Sequence, residues 1–367
     1  MRILQIAPVW ECVPPPGYGG TEAVVALLTD ELVARGHDVT LAASGDSVTT
    51  ATLRAPFPRS LRRAENLKDR TPYDWAHLAH ALHDAGDFDV VHNHAGEFAM
   101  AMAGLVDAPF LTTMHNFPTA ETRCIWNRYA GAYNTISQAQ NRVFQPLSGP
   151  AVYAGHVYNA IDVESFPFEP KKSDDLLFLS RVAREKGPEI AVEVAKRTGR
   201  RLIIAGKVDH YDGDFFDEVM RPLIDDDQIV FVGEADAVRK RELYRRAKCL
   251  LLPLQWDEPF GLVMPEAMAC GTPVVAFPRG SAREVVDHGR TGFIVENLDE
   301  MVEAVNMIEA IDPADCRRHV AANFAPALMT DGYLRMYHRV LELGPRGSPA
   351  RAARGRAAGA VEPLAVR

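Results

Sequence analysis

Residues 258–273 read EPFGLVMPEAMACGTP, and this segment is the most informative one in the chain. Its pattern predicts a loop, a short apolar helix and the start of a strand. Gly261 opens the turn, Pro265 is tolerated in the first turn of the helix, and Gly271 ends that helix. A short helix that ends on glycine and leads into a strand is typical of an α/β protein.

The start of this helix offers an anion site between two carboxylates. The amides of Gly261, Leu262 and Val263 are expected to face an anion such as a diphosphate. Glu258 precedes the helix and Glu266 lies one turn inside it. Because carboxylates do not bind phosphate, hydroxyl pairs on either side are their natural targets. A nucleotide-sugar has this order of groups: a ribose diol, a diphosphate and the hydroxyls of a sugar. The plainer interpretation is that both glutamates are charges on a helix surface.

A second segment, SRVAREKG at 180–187, follows a predicted buried strand and precedes a helix. Ligands of α/β proteins bind at the carboxyl ends of strands. We expect Arg181 and Lys186 to converge on the diphosphate and to stabilise charge on a leaving group. Two such charges in one loop are ordinarily just solvated, so the neighbouring glutamate segment is what favours a site.

A glycine-rich loop, GYGGTE at 17–22, separates the first predicted strand from the first helix. It has neither the G-x-G-x-x-G spacing nor the P-loop lysine, so an NAD fingerprint and a Walker A site are not supported. What remains is a backbone, at Gly19 and Gly20, that a phosphate or sugar can approach closely.

Three histidines follow predicted strands of the N-terminal half. His92 and His94 follow Val90-Val91, and His115 follows the strand 110–114, so all three are expected at the carboxyl edge that faces the cleft. An H-x-H pair can bind zinc, but no further ligand has a suitable spacing. Hydrogen bonding to sugar hydroxyls is therefore favoured over a metal site.

Composition limits the remaining possibilities. The chain has 367 residues, a formal net charge of -9, 47% hydrophobic residues and five scattered cysteines. Such a composition excludes global disorder, and its net charge disfavours nucleic acid as the main partner. The cysteines suit a reducing compartment, and neither a signal peptide nor a long apolar span is evident. We therefore expect a cytoplasmic protein without a transmembrane segment.

Short apolar runs alternate with amphipathic stretches, which predicts parallel sheets covered by helices. The predicted strands are 3–7, 39–43, 90–92, 110–114 and 134–137, then 176–180, 202–205, 229–232, 250–252, 274–277 and 293–295. We expect an α/β protein with two Rossmann-like domains that face one cleft. The predicted boundaries are 1–163 for an acceptor domain, 164–175 for a linker, 176–328 for a donor domain, 329–343 for a crossover helix and 344–367 for a disordered tail.

One stretch, residues 54–70, is locally basic. A solvated surface loop is the plainer interpretation. Recognition of an anionic acceptor or of a membrane surface is the alternative.

Together these segments resemble the retaining glycosyltransferases of family GT4, which have the GT-B fold, over the chain up to about Leu343. The resemblance is carried by the E-x7-E element at 258–266 with its EAMACGTPVVA continuation, and by R-x4-K-G at 181–187. Tyr244 in L-Y-x-x-A and Gly292 before Phe293 fit the same pattern. The N-terminal PPPGYGGTE also looks like a subgroup that includes natural-product and antibiotic-pathway enzymes.

The resemblance implies a role for each matching residue on the donor. Glu266 would bind the ribose diol, and the backbone of 233–235, including Ala235, would meet the base. Glu258 and the amides of Phe260 and Gly261 would hold the hydroxyls of the donor sugar.

It also implies how the diphosphate and the reacting carbon are held. Arg181 and Lys186 would bind the diphosphate, which Gly20 would border from the N-terminal domain. His115 would contact the donor sugar near the reacting carbon, so His115 and Glu258 are the candidate catalytic residues. Gly19, His92 and His94 are candidate contacts to acceptor or sugar. The loop 278–281 (PRGS) departs from the two adjacent glycines of many relatives.

The implied reaction is transfer with retention, without a D-x-D metal site and without a cofactor. The nucleotide-sugar is a co-substrate, with UDP favoured over GDP. The acceptor is a small molecule, a lipid or a glycan. Peripheral membrane contact and either a monomer or a homodimer are compatible with the sequence.

Three rivals have a basis in the same residues. A glycoside hydrolase also uses two carboxylates, but it needs no phosphate site. A UDP-sugar epimerase or hydrolase of related fold would bind the same donor and need no acceptor. A non-catalytic nucleotide-sugar binding protein would lack part of the set Arg181, Lys186, Glu258 and Glu266, which is complete here.

Overall fold

Two parallel β-sheets, each covered by helices, form the protein. The structure, a computed structural model, describes residues 1–64, 67–144, 150–208 and 213–344. Both sheets are entirely parallel within these ranges. The prediction of an α/β protein with two Rossmann-like domains is confirmed.

The first sheet belongs to the N-terminal half. Its strands are β1 (Arg2–Ile6), β2 (Asp38–Ala42), β3 (Thr52–Arg54), β4 (Val90–Asn93), β5 (Phe110–Met114), β6 (Ala132–Thr135) and β7 (Val152–His156). They lie in the order β3-β2-β1-β4-β5-β6-β7. The helices of this half are α1 (Gly20–Ala34), α2 (Thr71–Leu82), α3 (Glu97–Met102), α4 (Arg123–Trp126) and α5 (Gln138–Phe144).

The second sheet repeats this plan. Its strands are β8 (Leu176–Leu179), β9 (Leu202–Ala205), β10 (Ile229–Phe231), β11 (Cys249–Leu252), β12 (Val274–Ala276) and β13 (Gly292–Ile294), in the order β10-β9-β8-β11-β12-β13. Its helices are α6 (Pro188–Thr198), α7 (Gly213–Phe215), α8 (Ala237–Arg246), α9 (Val263–Ala269), α10 (Ala282–Val285), α11 (Leu298–Asn306) and α12 (Pro313–Asn323).

The central strands are apolar because helices cover both of their faces. Every residue of β8 and of β11 is buried, as expected for strands inside a parallel sheet. Side-chain caps fix several helix starts: Asp236 accepts from the amide of Arg239 at α8, and Asn297 accepts from Glu300 at α11. Local sequence thus specifies the elements, and burial of apolar strands holds them together.

A last helix, α13 (Pro326–Leu343), follows the second sheet but packs on the first domain. Its buried face includes Met329, Tyr333 and Tyr337, which join the core formed by α1 and the edges of β1 and β4. The close approach is possible because Gly332 has no side chain: a Cβ there would lie 3.0 Å from Val157. No helix in the described ranges is long and apolar enough to cross a membrane.

The predicted elements differ from the structure mainly at sheet edges. Strands β3 and β7 were not predicted, because β3 is a three-residue TLR and β7 contains Gly155, which interrupts its apolar run. Helix α13 begins at Pro326, three residues earlier than expected, since proline is tolerated in a first helical turn. Residues 345–367 of the predicted tail lie outside the described residues. The domain boundaries stay a prediction.

Candidate active site

A cleft lies where both sheets reverse their strand order, between β1 and β4 and between β8 and β11. Such reversal points at the carboxyl ends of strands are the usual binding sites of α/β proteins. The glycine-rich loop follows β1, His115 follows β5, the 180–187 loop follows β8, and the 258–262 loop follows β11. Together they enclose a cavity of about 320 Å³.

Twelve of the predicted site residues line this cavity. They are Gly19, Gly20, His115, Arg181, Lys186, Ala235, Glu258, Phe260, Gly261, Leu262, Val263 and Glu266. They come from both halves of the chain, and Gly20 approaches Leu262 across the cleft, where an added Cβ would lie 3.2 Å from Leu262 Cδ1. The roles that the resemblance implies for these residues stay predictions.

His92 and His94 do not line the cavity, which corrects their expected contact with a sugar. Both are buried, and each ring has both nitrogens engaged by protein atoms. The expectation was wrong because tyrosines of α13 pack on both rings: His92 lies within β4 against Tyr333 and Tyr337, and His94, one residue beyond β4, lies against Tyr333. In the described ranges, no three His, Cys, Asp or Glu side chains are grouped to hold a metal ion.

On the donor side, a buried lysine is paired directly with a predicted catalytic carboxylate. Lys186 Nζ lies 2.7 Å from Glu258 Oε2, and the indole Nε1 of Trp256 donates to the same oxygen at 3.3 Å. Lys186 Nζ also sits 4.1 Å from the centre of the Trp256 ring. Burial lowers the pKa of Lys186, and the carboxylate of Glu258 opposes that shift. The cation is therefore held in one place at the floor of the cleft.

The loop geometry around this pair depends on a glycine. Gly187 has φ +68°, and a Cβ there would lie 2.3 Å from the carbonyl oxygen of Pro253. A side chain at this position is therefore excluded by both backbone strain and contact. Arg181, which also lines the cavity, donates from Nη2 to Glu185 Oε1 at 2.6 Å.

Glu266 is held on both oxygens. Lys240 Nζ donates to Oε1 at 2.7 Å and the Tyr244 hydroxyl donates to Oε2 at 2.9 Å. Burial, together with the charge of Glu266, raises the pKa of Tyr244 well above its usual value, so the tyrosine stays a donor. Each carboxylate oxygen keeps a lone pair, so the group can still accept from a hydroxyl in the cleft.

The unusual PRGS loop supports the glutamate segment. Gly280 has φ +55°, and an added Cβ would lie 2.1 Å from the carbonyl oxygen of Glu258. Ser281 donates from its amide to that oxygen and from its hydroxyl to the carbonyl of Phe260. The loop thus clamps residues 258–260 with one glycine in place of two.

Several cleft residues were missed by sequence reasoning. Lys240 and Lys207 line the cavity, and Trp256 holds Glu258. A signal existed only for Lys240, which lies four residues before Tyr244 on α8 and therefore on the same helix face. Nothing local to Trp256 distinguishes it from a core aromatic.

The basic stretch 54–70 is not simply a solvated loop, because its Arg54 and Arg62 form ion pairs within the protein. Arg54 binds Asp84 through both terminal nitrogens. Arg62 joins the two domains, because it lies 2.6 Å from the buried Glu11 and 2.9 Å from Glu234 of the C-terminal half. These charges are used within the protein, which corrects the plainer interpretation at these positions. Residues 65 and 66 of the stretch lie outside the described ranges.

Two parallel-sheet domains that face one cleft are the architecture of the GT-B class. The family model for "Glycosyltransferase Family 4" matches residues 18–165, and the model for "Glycosyl transferases group 1" matches residues 162–323. The chain belongs to this family of glycosyltransferases, and it is an enzyme of the hexosyltransferase type.

Known proteins resemble the chain along almost its whole length. A glycogen synthase of Mycobacterium tuberculosis (strain ATCC 25618 / H37Rv) is 28% identical, over 88% of this chain and 89% of its own. AviGT4, a glycosyltransferase involved in avilamycin A biosynthesis, has a TM-score of 0.69 at 23% identity, over 93% and 98% of the two chains. Anabaena HepE, solved with UDP and glucose, has a TM-score of 0.71 at 17% identity, over 92% and 100%. At these identities the two structures support the fold alone.

Proposed function

We propose that the protein transfers a hexose from a UDP-sugar to a hydroxyl acceptor with retention of anomeric configuration. The observation that carries the proposal is the set of charged side chains that line one cleft. The paired Lys186 and Glu258 line the cleft together with Arg181. Glu266 and its partner Lys240 line the same cavity, and the buried Tyr244 holds Glu266 from behind. The cleft therefore combines cations, which suit a diphosphate, with carboxylates, which can accept hydrogen bonds from sugar hydroxyls. A nucleotide-sugar carries both kinds of group.

UDP is the proposed nucleotide of the donor because HepE, which has the same fold, is described with UDP and with glucose. GDP is the alternative that the test below distinguishes. The subgroup of natural-product enzymes stays a prediction from the N-terminal motif, and the acceptor is proposed only as a hydroxyl of a small molecule, lipid or glycan.

The proposed reaction takes place on one face of the donor sugar. The acceptor oxygen bonds to the anomeric carbon as the bond to the diphosphate oxygen breaks, and that oxygen keeps the bonding electrons. The acceptor proton passes to the leaving diphosphate. Arg181 and Lys186 stabilise the charge that develops there, and positioning by Glu258 and His115 replaces a covalent nucleophile.

No metal ion takes part in this proposed mechanism, since two side-chain cations supply the charge at the diphosphate. Activity is therefore expected to survive EDTA. A loss of turnover that Mg²⁺ or Mn²⁺ restores would contradict this part of the proposal.

Calorimetry with UDP and with GDP tests the donor site. We expect tighter binding of UDP by the wild type, and at least about tenfold weaker binding in Glu266→Ala and in Lys186→Ala, because each removes a charged hydrogen-bond partner. Lys196→Ala, an exposed lysine in the last turn of α6, is the matched control. Unchanged affinity in both site variants would overturn the assignment.

A panel of nucleotide-sugars then identifies the reaction. Hydrolysis of each donor without acceptor is scored first, and NMR of the glycoside formed with a hydroxyl acceptor reports its anomeric configuration. A product of inverted configuration would reject retention, and release of a glycal or an epimer would favour an epimerase.

A further inference from the structure

A buried chain of polar side chains joins helix α13 to His115 in the cleft. Tyr337 of α13 contacts Gln5 at 2.9 Å and His92 at 2.7 Å. Gln5 contacts His94 at 2.9 Å, and His94 contacts His115 at 3.0 Å. All members except the half-buried His115 are buried. The proposed reaction uses His115 but gives no role to the buried members.

The direction of each hydrogen bond follows from one backbone carbonyl. Asn134 Nδ2 donates to the carbonyl of Thr135, so Asn134 Oδ1 faces Thr113 and accepts its hydroxyl proton at 2.7 Å. Thr113 Oγ1 then accepts from His92 Nε2, 2.7 Å away. A neutral His92 that is protonated on Nε2 has a bare Nδ1.

The same reasoning carries on to the cleft. Tyr337 must donate its hydroxyl proton to His92 Nδ1, so its oxygen accepts from Gln5 Nε2. Gln5 Oε1 therefore faces His94 and accepts from its Nε2. That leaves His94 Nδ1 bare, and it accepts from His115 Nε2.

The three histidines are neutral in this arrangement. Burial lowers the pKa of His92 and of His94 well below the usual value, and it lowers the pKa of His115 to about 4. Their rings lie 4.0 Å and 5.3 Å apart between centres, which further disfavours a second charge. Each ring thus carries one proton, and each proton has a defined position.

We propose that Tyr337 and Gln5 are positioning residues that hold His115 as the Nε2-protonated tautomer. In the described ranges no side chain or backbone group is bonded to His115 Nδ1. His115 therefore offers the cleft a lone pair, which accepts a hydroxyl of the donor sugar and cannot donate to the leaving group. The choice of that ligand rests on the proposed function, whereas the tautomer does not.

The tautomer is tested by NMR on full-length protein labelled with ¹⁵N-histidine, without any ligand. Long-range ¹H–¹⁵N correlations distinguish a bare nitrogen from a protonated one, and His115→Asn identifies the His115 signals. We expect a bare Nδ1 and a protonated Nε2 in the wild type. A protonated Nδ1 would overturn the proposal whatever the variants do.

Two substitutions of the same kind on α13 separate positioning from packing. Tyr337→Phe removes the hydroxyl that orients Gln5, so both orientations of that amide become equivalent and two His115 tautomers are expected. Tyr333→Phe is the control, because its hydroxyl lies 3.3 Å from Thr113 Oγ1 and sets no direction in the chain. A pure spectrum in both variants, or mixed tautomers in both, would contradict the role of Tyr337.

Turnover supplies a second readout. We expect Tyr337→Phe to lower kcat by up to about tenfold, the value of one hydrogen bond at the substrate, while the dissociation constant for UDP is unchanged. Tyr333→Phe should retain kcat. If wild-type protein shows the expected tautomer but binds no nucleotide, the proposed function fails and the positioning role stands.

Discussion

The two walls of the cleft use the same fold but different chemistry. The C-terminal wall is charged, with Lys186 paired to Glu258 and Lys240 paired to Glu266. The N-terminal wall is neutral, since His115 is hydrogen-bonded to His94 and burial keeps His92, His94 and His115 uncharged. One wall therefore suits an anionic diphosphate, and the other can lie beside hydroxyls and a sugar carbon without repelling or trapping charge.

The difference arises from what lies behind each wall. Behind the charged wall, side chains from neighbouring loops supply a counter-ion for each cation, so a ligand can exchange partners at little cost. Behind the neutral wall lies α13, whose Tyr337 is hydrogen-bonded to His92, while its Tyr333 is hydrogen-bonded to Thr113. Each wall can be perturbed separately, and the expected effects are given from the largest to the smallest.

We expect the largest effect from a substitution in the charged wall. Lys186→Ala removes the buried cation and leaves Glu258 without its partner. We expect kcat/KM for the donor to fall by about 100- to 1000-fold, as when a charge-stabilising donor is lost. Steady-state kinetics measure this, with Lys196→Ala as control. A fall of less than threefold would show that this wall does not stabilise the diphosphate.

The N-terminal domain, which supplies the neutral wall, should lose stability in acid. Burial lowers the pKa of His77 and of His115 to about 4, against about 6.5 in the unfolded chain. The unfolded state binds more protons between these values, so this stability is complete above pH 6.5 and declines as the pH falls towards 4. At pH 5 each histidine is expected to cost about 2 kcal/mol.

Guanidinium unfolding at pH 7.5 and at pH 5 measures this effect. His115→Asn removes one of the buried histidines, while His77, His92 and His94, whose pKa values burial also lowers, remain, so the dependence should become shallower. If wild type and His115→Asn lose the same free energy of unfolding between the two pH values, His115 is not held neutral.

The N-terminal domain also contains a buried carboxylate, that of Glu22, whose contribution has the opposite sign. Burial raises the pKa of Glu22, in the first turn of α1, to about 7, and the charge of Glu11 adds to it. Ionisation therefore costs stability that is intact below pH 4.5 and lost by pH 7 and above. Glu22→Gln is expected to stabilise the protein at pH 8 by up to about 3 kcal/mol, and not at all at pH 4.

The same unfolding measurement serves for Glu22→Gln at both pH values. Glu31→Gln on the same helix is the control, because Glu31 is paired with Arg35. A variant that is destabilised at pH 8 would mean that the Glu22 carboxylate has a cationic partner in solution.

The contact between the walls should have the smallest effect. Glu234 is exposed and shares Arg62 with the buried Glu11, so Glu234→Gln leaves Arg62 one full partner. We expect a change in unfolding free energy below about 1 kcal/mol, which disappears at high salt. Glu309→Gln, at the exposed pair with Lys248, is the matched surface control. A loss above 2 kcal/mol would show that this pair locks the domains together.

Much of the fold and of the charged wall was predictable because the relevant signals are local. Most of the strands are short buried runs, and the loops that carry 180–187 and 258–266 follow two of them, β8 and β11. Parallel topology then brings loops from the carboxyl ends of β8 and β11 to one place. The residues predicted from these segments, Arg181, Lys186, Glu258 and Glu266, all line the cavity.

The neutral wall was not predictable in this way. His92 and His94 have the same local signal as His115, a histidine at the end of an apolar strand, but only His115 lines the cavity. Their burial depends on α13, whose Tyr337 lies 332 residues from Gln5 in the chain. The pairing of Trp256 with Glu258 and of Lys240 with Glu266 likewise appears only once the loops and helices are packed.

The sequence by itself determined two α/β domains, a cleft between them and the charged residues of the donor side, because short-range patterning dictates elements and their loop ends. Only the tertiary structure decided which ring nitrogen of His115 faces the cleft and which charges are already paired. Those properties are set by hydrogen bonds between segments that no local pattern connects, and packing alone brings these segments together.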